Sequence, residues 1–277
     1  HRVLLVDGDR DALLKSGAAG TLRAVVDPAH RAPTERHHTA THLLHAALRT
    51  VLGTHVHQAG SLVSPERLRF DYSHFESPSP EQLGTVESRV NDWVLANRAV
   101  SWRVMPIDEA KQHGAMALFG EKYGDEVRMV TVEGVDTAGI EPSRELCGGT
   151  HVTRTGDIGA FTIVGESAIA SGVRRLEAVC GTEALRWLRE QQALLTQAAH
   201  VLQAPPDAVP ATIEKLKGEL AALKKSQAEG AKQGLEAEFA KLAETAVVAP
   251  DGRWVVAEIT SSGDTNAARE AADKLRG

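Results

Sequence analysis

Two four-residue spacings, far apart in the chain, constrain its folding more than any other feature. His38-Thr39-Ala40-Thr41-His42 sets two imidazoles at i and i+4, on one face of any helix that contains them. Cys147-Gly148-Gly149-Thr150-His151 again sets a thiol and an imidazole four apart. Together they offer one thiolate and three imidazoles, a mixed N/S donor set that favours zinc. The two glycines let the backbone turn tightly and come close to a ligand. His37 and His45 keep the choice of histidines open, although His37 is rotated off the shared face. No Glu follows His38, so the general base of a His-Glu-x-x-His peptidase is absent. Four protein ligands are also the mark of a closed structural site. The residues alone therefore leave a zinc hydrolase and a zinc-stapled fold both standing.

Composition narrows the class. The chain has only two cysteines in 277 residues, too few for a disulfide framework, which favours a reducing compartment. Cys180, in a strand-like run without a nearby histidine, reads as a buried structural thiol. No apolar run approaches the roughly 20 residues needed to cross a bilayer, and no membrane role is expected. A net charge of −6 carries no global footprint of nucleic-acid binding, so any RNA contact must be local. The chain opens on His1 without a signal-peptide pattern, and a piece of a longer, cytoplasmic protein is expected.

The expected fold class is α+β. Residues 1–33 read as a small β-rich piece, with strands at 2–6 and 22–26. An amphipathic helix over 34–52 opens the unit expected to bind metal, 34–182, and ends at Gly53. A strand pair broken at Pro65 follows, then a helix with Ser79 as N-cap and Pro80 at its first position. Further strands are expected near 100–104, 126–132, 160–164 and 174–179. Residues 183–245 carry leucines at helical spacing on both sides of Pro205-Pro206, which predicts an antiparallel helical hairpin. Residues 246–277 read as the truncated start of a further α/β domain, with a strand at 254–259 and a helix from Asp264.

The run from His38 to Arg49 (HTATHLLHAALR) resembles the signature of the alanyl-tRNA synthetase editing domain. So do Gln58-Ala59-Gly60-Ser61-Leu62-Val63, Arg67-Leu68-Arg69-Phe70-Asp71, the run GAMALFGEKYGD over 114–125, and SRELCGGTHV over 143–152. The five motifs occur in the family's order across residues 1–182; the remainder resembles the helical linker and the start of the C-terminal domain. Nothing resembles the core that activates alanine. Two positions depart from the family pattern: His37, where Asn is usual, and Cys180, where a small hydroxyl residue is common.

The resemblance implies hydrolytic removal of serine or glycine wrongly attached to tRNA(Ala). It implies a zinc ion on His38, His42, Cys147 and His151, with Gln58 and Ser61 near the aminoacyl group. Arg67, Arg69, Arg174 and Arg175 are the candidates for tRNA phosphates. A homodimer through the helical and C-terminal segments is a further expectation. Two alternatives stand beside it: a freestanding trans-editing deacylase with the same zinc motifs, and an RNA-binding or dimerising module with a structural zinc. The threonyl-tRNA synthetase editing domain shares the paired motifs but lacks the 114–125 run.

Overall fold

The structure is a computed structural model that describes residues 26–116, 123–139, 142–245, 247–250, 252–254, 269–270 and 272–273. The chain divides into two compact units, His1–Glu190 and Gln191–Gly277.

Helix α1, Pro28–Leu52, organises the first unit. It begins earlier than its apolar period because Asp27 caps it, accepting the Ala29 N–H at 2.9 Å, and Pro28 supplies a preset first turn. The end of the stretch expected as β-rich is thus helical, while the strand expected over 2–6 and all but Val26 of that expected over 22–26 lie outside the described residues. Gly53, at φ +118, ends the helix where a side chain would be strained. From Ala40 to Leu48 every residue is buried.

Strands β1, Gln58–Val63, and β2, Leu68–Ser73, form the hairpin that Pro65 predicted. Helix α2, Pro80–Leu95, starts in a reciprocal cap: Ser79 Oγ accepts the Gln82 N–H, and Gln82 Oε1 accepts the Ser79 N–H. Strands β3 (Val100–Pro106), β4 (Glu126–Val132) and β5 (Ser143–Leu146) form an antiparallel sheet in that order, with the short helix α3, Ile107–Gln112, between β3 and β4. Strands β6, Phe161–Ala170, and β7, Val173–Cys180, complete an antiparallel sheet of order β1-β2-β7-β6.

One core joins α1, α2 and this larger sheet, through Leu43, Leu44, Leu48, Phe70, Tyr72, Val86, Val90 and Leu176. Burying each such side chain stabilises the fold by roughly 1.5–3 kcal/mol. A smaller core, with Met105, Val127, Met129 and Leu146, lies on one side of the second sheet. The two-residue period of β5 sends Leu146 into that core and Glu145 to the other side, where it meets α1. Cys147 follows on the same side as Glu145, its N–H donating to Arg128 O at 3.0 Å.

Helix α4, Thr182–Leu202, starts in the first unit and runs into the second, where α5 spans Val209–Glu244. The helices flank the expected proline break. Leu194, Leu195, Ile213, Leu216, Leu220 and Leu223 remain exposed, so the leucine rows are not closed on one another. Strands β8, Val247–Ala249, and β9, Gly252–Trp254, form a short hairpin. Of the strand expected over 254–259 only Trp254, the end of β9, is described; the rest, and most of the helix expected from Asp264, lie outside the described residues.

Candidate metal centre

The two spaced motifs meet. Cys147 Sγ lies 3.4 Å from Nε2 of both His38 and His151, and the ligand atoms of His38, His42, Cys147 and His151 all fall within 4.8 Å of one another. Tetrahedral zinc, with Zn–N of about 2.0–2.1 Å and Zn–S of about 2.3 Å, puts its donors about 3.3–3.6 Å apart. Among the described residues this is the one group of three or more His, Cys, Asp or Glu placed to hold a metal ion.

The outer nitrogens fit the same reading. His38 Nδ1 donates to Thr150 O at 3.1 Å, and His151 Nδ1 to Thr39 Oγ1 at 3.2 Å. Thr39 Oγ1 has its own proton on Glu35 O, which leaves it an acceptor for His151. His42 Nδ1 lies 2.5 Å from Glu145 Oε2. With each Nδ1 committed, each Nε2 faces the thiol, as metal-bound histidines require. Gly149 is indispensable to the approach: a Cβ there would run into the His38 imidazole. Arg128 holds the turn open, donating to the carbonyl of Gly149 while its guanidinium lies over Trp102 at 4.7 Å.

The electrostatics suit a cation. Burial would push the Cys147 thiol up, but hydrogen bonds from His151, His38 and His42 outweigh it and hold it at about 3, a thiolate. Burial drives His151 down to about 4, so it is neutral and able to ligate. Burial would lower His42 as well, yet the Glu145 charge beside it raises it to about 10. In the metal-free chain His42 therefore carries both protons, toward Glu145 and toward Cys147. Glu145, despite burial, is held well below the carboxylate range by His42 and His45.

His37 has a separate role. Its Nδ1 donates to Pro33 O and its Nε2 accepts the Cys180 N–H, both at 3.0 Å. Burial lowers its pKa, as befits a neutral, fully bonded core imidazole. The two positions that depart from the family pattern thus touch each other. Cys180 is buried, and burial pushes its thiol up.

Gln58 and Ser61 lie on the edge strand β1, where Gln58 Nε2 donates to Ser61 Oγ at 3.2 Å. The four arginines face carboxylates. Arg175 makes a two-bond pair with Asp71 at 2.7 and 2.9 Å, and Arg174 bonds both oxygens of Glu166. Arg67 lies 3.0 Å from Glu177, and Arg69 3.8 Å from Asp71. A cleft of about 360 Å³ opens beside His151, lined also by Glu35, Arg36, Val152 and Asp157. Residues 117–122 of the 114–125 run lie outside the described residues.

Sequence reasoning overlooked Glu145 and Thr39. The available signals were a carboxylate two residues before Cys147, on its side of the strand, and a threonine inside the histidine helix.

The segment that supplies Cys147 and His151 matches a known family model: residues 127–177 fit the one described as "Threonyl and Alanyl tRNA synthetase second additional domain". Along nearly its whole length the chain is also similar to alanine–tRNA ligases. It is 51% identical to that of Thermus thermophilus over 263 residues, covering 92% of this chain and 29% of the relative. It is 49% identical to that of Deinococcus radiodurans over 278 residues (99% and 30%), and 48% identical to that of Bordetella avium over 277 residues (100% and 30%). The chain spans about three tenths of the length of these curated relatives.

Proposed function

We propose that this chain is the editing part of an alanyl-tRNA synthetase, a zinc-dependent hydrolase that removes serine or glycine from mischarged tRNA(Ala) in the cytoplasm. One observation carries the reading: three histidines with committed Nδ1 atoms converge on a thiolate beside an open cleft. The relatives named alanine–tRNA ligase support the choice of tRNA. A pocket for alanine excludes glycine by one methyl group, worth about 1–3 kcal/mol, and an added hydroxyl is also rejected poorly. A second, hydrolytic site remedies both errors.

A zinc ion on His38, His42, Cys147 and His151 supplies Lewis acidity to the ester. The Cys147 thiolate offsets part of its charge, and the fixed imidazoles keep the ligand geometry. Gln58, with Ser61, is the selector for the serine hydroxyl: serine offers that pair a hydroxyl to bond and alanine offers none. Arg67, more than half exposed, is the best placed of the four arginines for a phosphate. Each of the four would have to release its carboxylate, and Arg174 and Arg175, held by two bonds each, would give up most. Self-association through the exposed leucine rows belongs to the same reading.

The test is initial deacylation rates on serine- and alanine-charged tRNA(Ala), with and without a chelator. Serine release that is faster than alanine release and lost with the metal is expected; equal rates would refute editing. Four protein ligands favour a second reading, a purely structural zinc. His38→Ala separates the two: loss of hydrolysis with an intact melting transition supports editing, and loss of the fold supports the structural role.

A further inference from the structure

We infer that Glu145 is the positioning residue of the metal centre, and that His45 is its clamp rather than a fourth histidine ligand. The inference rests on the zinc reading above. Glu145 Oε2 lies 2.5 Å from His42 Nδ1, and Oε1 lies 3.0 Å from His45 Nδ1. All three side chains are buried, at 5–8% exposure. A buried carboxylate is costly unless its oxygens are bonded, and here each oxygen has its own imidazole.

His38, His42 and His45 of α1 stand at i, i+4 and i+7, which places them along one face. Sequence alone makes them equivalent. The fold separates them, because Nδ1 of His45 is committed to Glu145 and its Nε2 is not among the four converging donors. That Nε2 is buried and has no hydrogen-bond partner. His45 therefore holds the carboxylate, the carboxylate holds His42 Nδ1–H, and His42 is left in the tautomer whose Nε2 can ligate.

Charge gives a second argument. His38 and His151 are oriented by a neutral carbonyl and a neutral hydroxyl, so Glu145 brings the one full charge to this outer layer. Neutral imidazoles and the Cys147 thiolate would leave a divalent ion with one uncompensated positive charge, which the buried carboxylate cancels. Strand alternation links the two anions: Glu145 and Cys147 are successive residues on one side of the β5 run, so orienter and ligand move together.

The experiment measures zinc affinity of the full chain by competition with a chromogenic chelator, alongside thermal melts of the zinc-free protein. Glu145→Gln keeps the shape but loses the charge and one acceptor. It should weaken zinc binding about 10–100-fold. His45→Gln should weaken it less than Glu145→Gln, and cobalt loaded in place of zinc should show a shifted ligand-field spectrum in both variants. A residue that merely held the fold would lower the zinc-free melting temperature and leave the affinity and the spectrum unchanged; that result overturns the inference. Should Glu145→Gln fail to fold, Glu145→Asp keeps the charge but reaches one histidine, and unchanged affinity there overturns it equally. Failure of the wild type to bind zinc would overturn the metal reading as well, so the two failures are distinguishable.

Discussion

Helices α1 and α5 share an alanine- and leucine-rich texture, yet α1 buries eleven of its 25 residues and α5 two of its 36. Periodicity reports that a segment is helical; it does not report a partner. Helix α1 has a four-stranded sheet and α2 against it, and its polar residues are drawn into the core with their bonds made: Thr41 to His37 O, His37 to Pro33 O, His42 and His45 to Glu145. Helix α5 keeps Ile213, Leu216, Leu220 and Leu223 between 42% and 56% exposed. Its charges pair along the surface, as in Lys217 with Glu214 at 2.9 Å and Lys215 with Glu219 at 3.8 Å. Such pairs contribute tenths of a kcal/mol. Chemistry can be installed in a helix only where the surroundings fix its side chains, and α1 has that support.

The contrast breaks most visibly under alanine substitution. Leu44→Ala should cost about 2–5 kcal/mol, because the side chain is fully buried and leaves a cavity. Leu220→Ala should stay within about 0.5 kcal/mol at concentrations low enough to keep the chain monomeric. Urea unfolding of both variants checks this, and equal losses would mean that α5 has a partner in solution, as self-association requires.

A smaller effect separates the helices through glycine. Gly218, Gly230 and Gly234 have nothing within 4 Å of an added Cβ, so Gly218→Ala should raise helical stability by roughly 0.5–1 kcal/mol. Gly149→Ala, by contrast, drives a methyl group into His38 and should cost metal binding. Far-UV circular dichroism reads the first and zinc competition the second.

The smallest expected effect is electrostatic. The hydrogen-bonded Arg175 guanidinium holds the buried Asp71 carboxyl below its ordinary pKa. A depressed carboxylate contributes stability above its unfolded pKa, near 3.9, and loses it as pH falls through the lower folded value. Arg175→Gln should therefore melt below the wild type at pH 7, with the gap closing in acid below about pH 4. A gap that does not change with pH would show that the arginine acts through packing alone.

Much of this was legible in the sequence, and the exceptions have physical causes. The β1–β2 hairpin was marked by Pro65, α2 by Ser79-Pro80, and β4 by its apolar run at the bounds now observed. The start of α1 was missed because the apolar period begins at Ala40, more than three turns after the Asp27 cap. Strand β5 and helix α3 are too short for any period to register. At the site, the four candidate ligands were visible because two motifs share one spacing. Glu145 was not, since a glutamate in a polar run looks like a solvated charge until the fold turns it toward α1. The leucines of α4 and α5 were visible as helix, but nothing in their spacing said whether they would find each other.

His38 and Cys147 are separated by 109 positions in the chain, and this distance sets a clock as well as a geometry. At about 5–20 residues per second of synthesis, α1 leaves the ribosome roughly 5–20 seconds before the loop that completes its donor set. During that interval its histidines face a core still lacking β5 and β7. Metal uptake by ribosome-bound chains of stepped length is expected to begin only once His151 has emerged, and uptake by shorter chains would refute this. An ion bound at that stage would arrive before β6 and β7, and would already tie the helix to the loop while the larger sheet still waits for its last two strands.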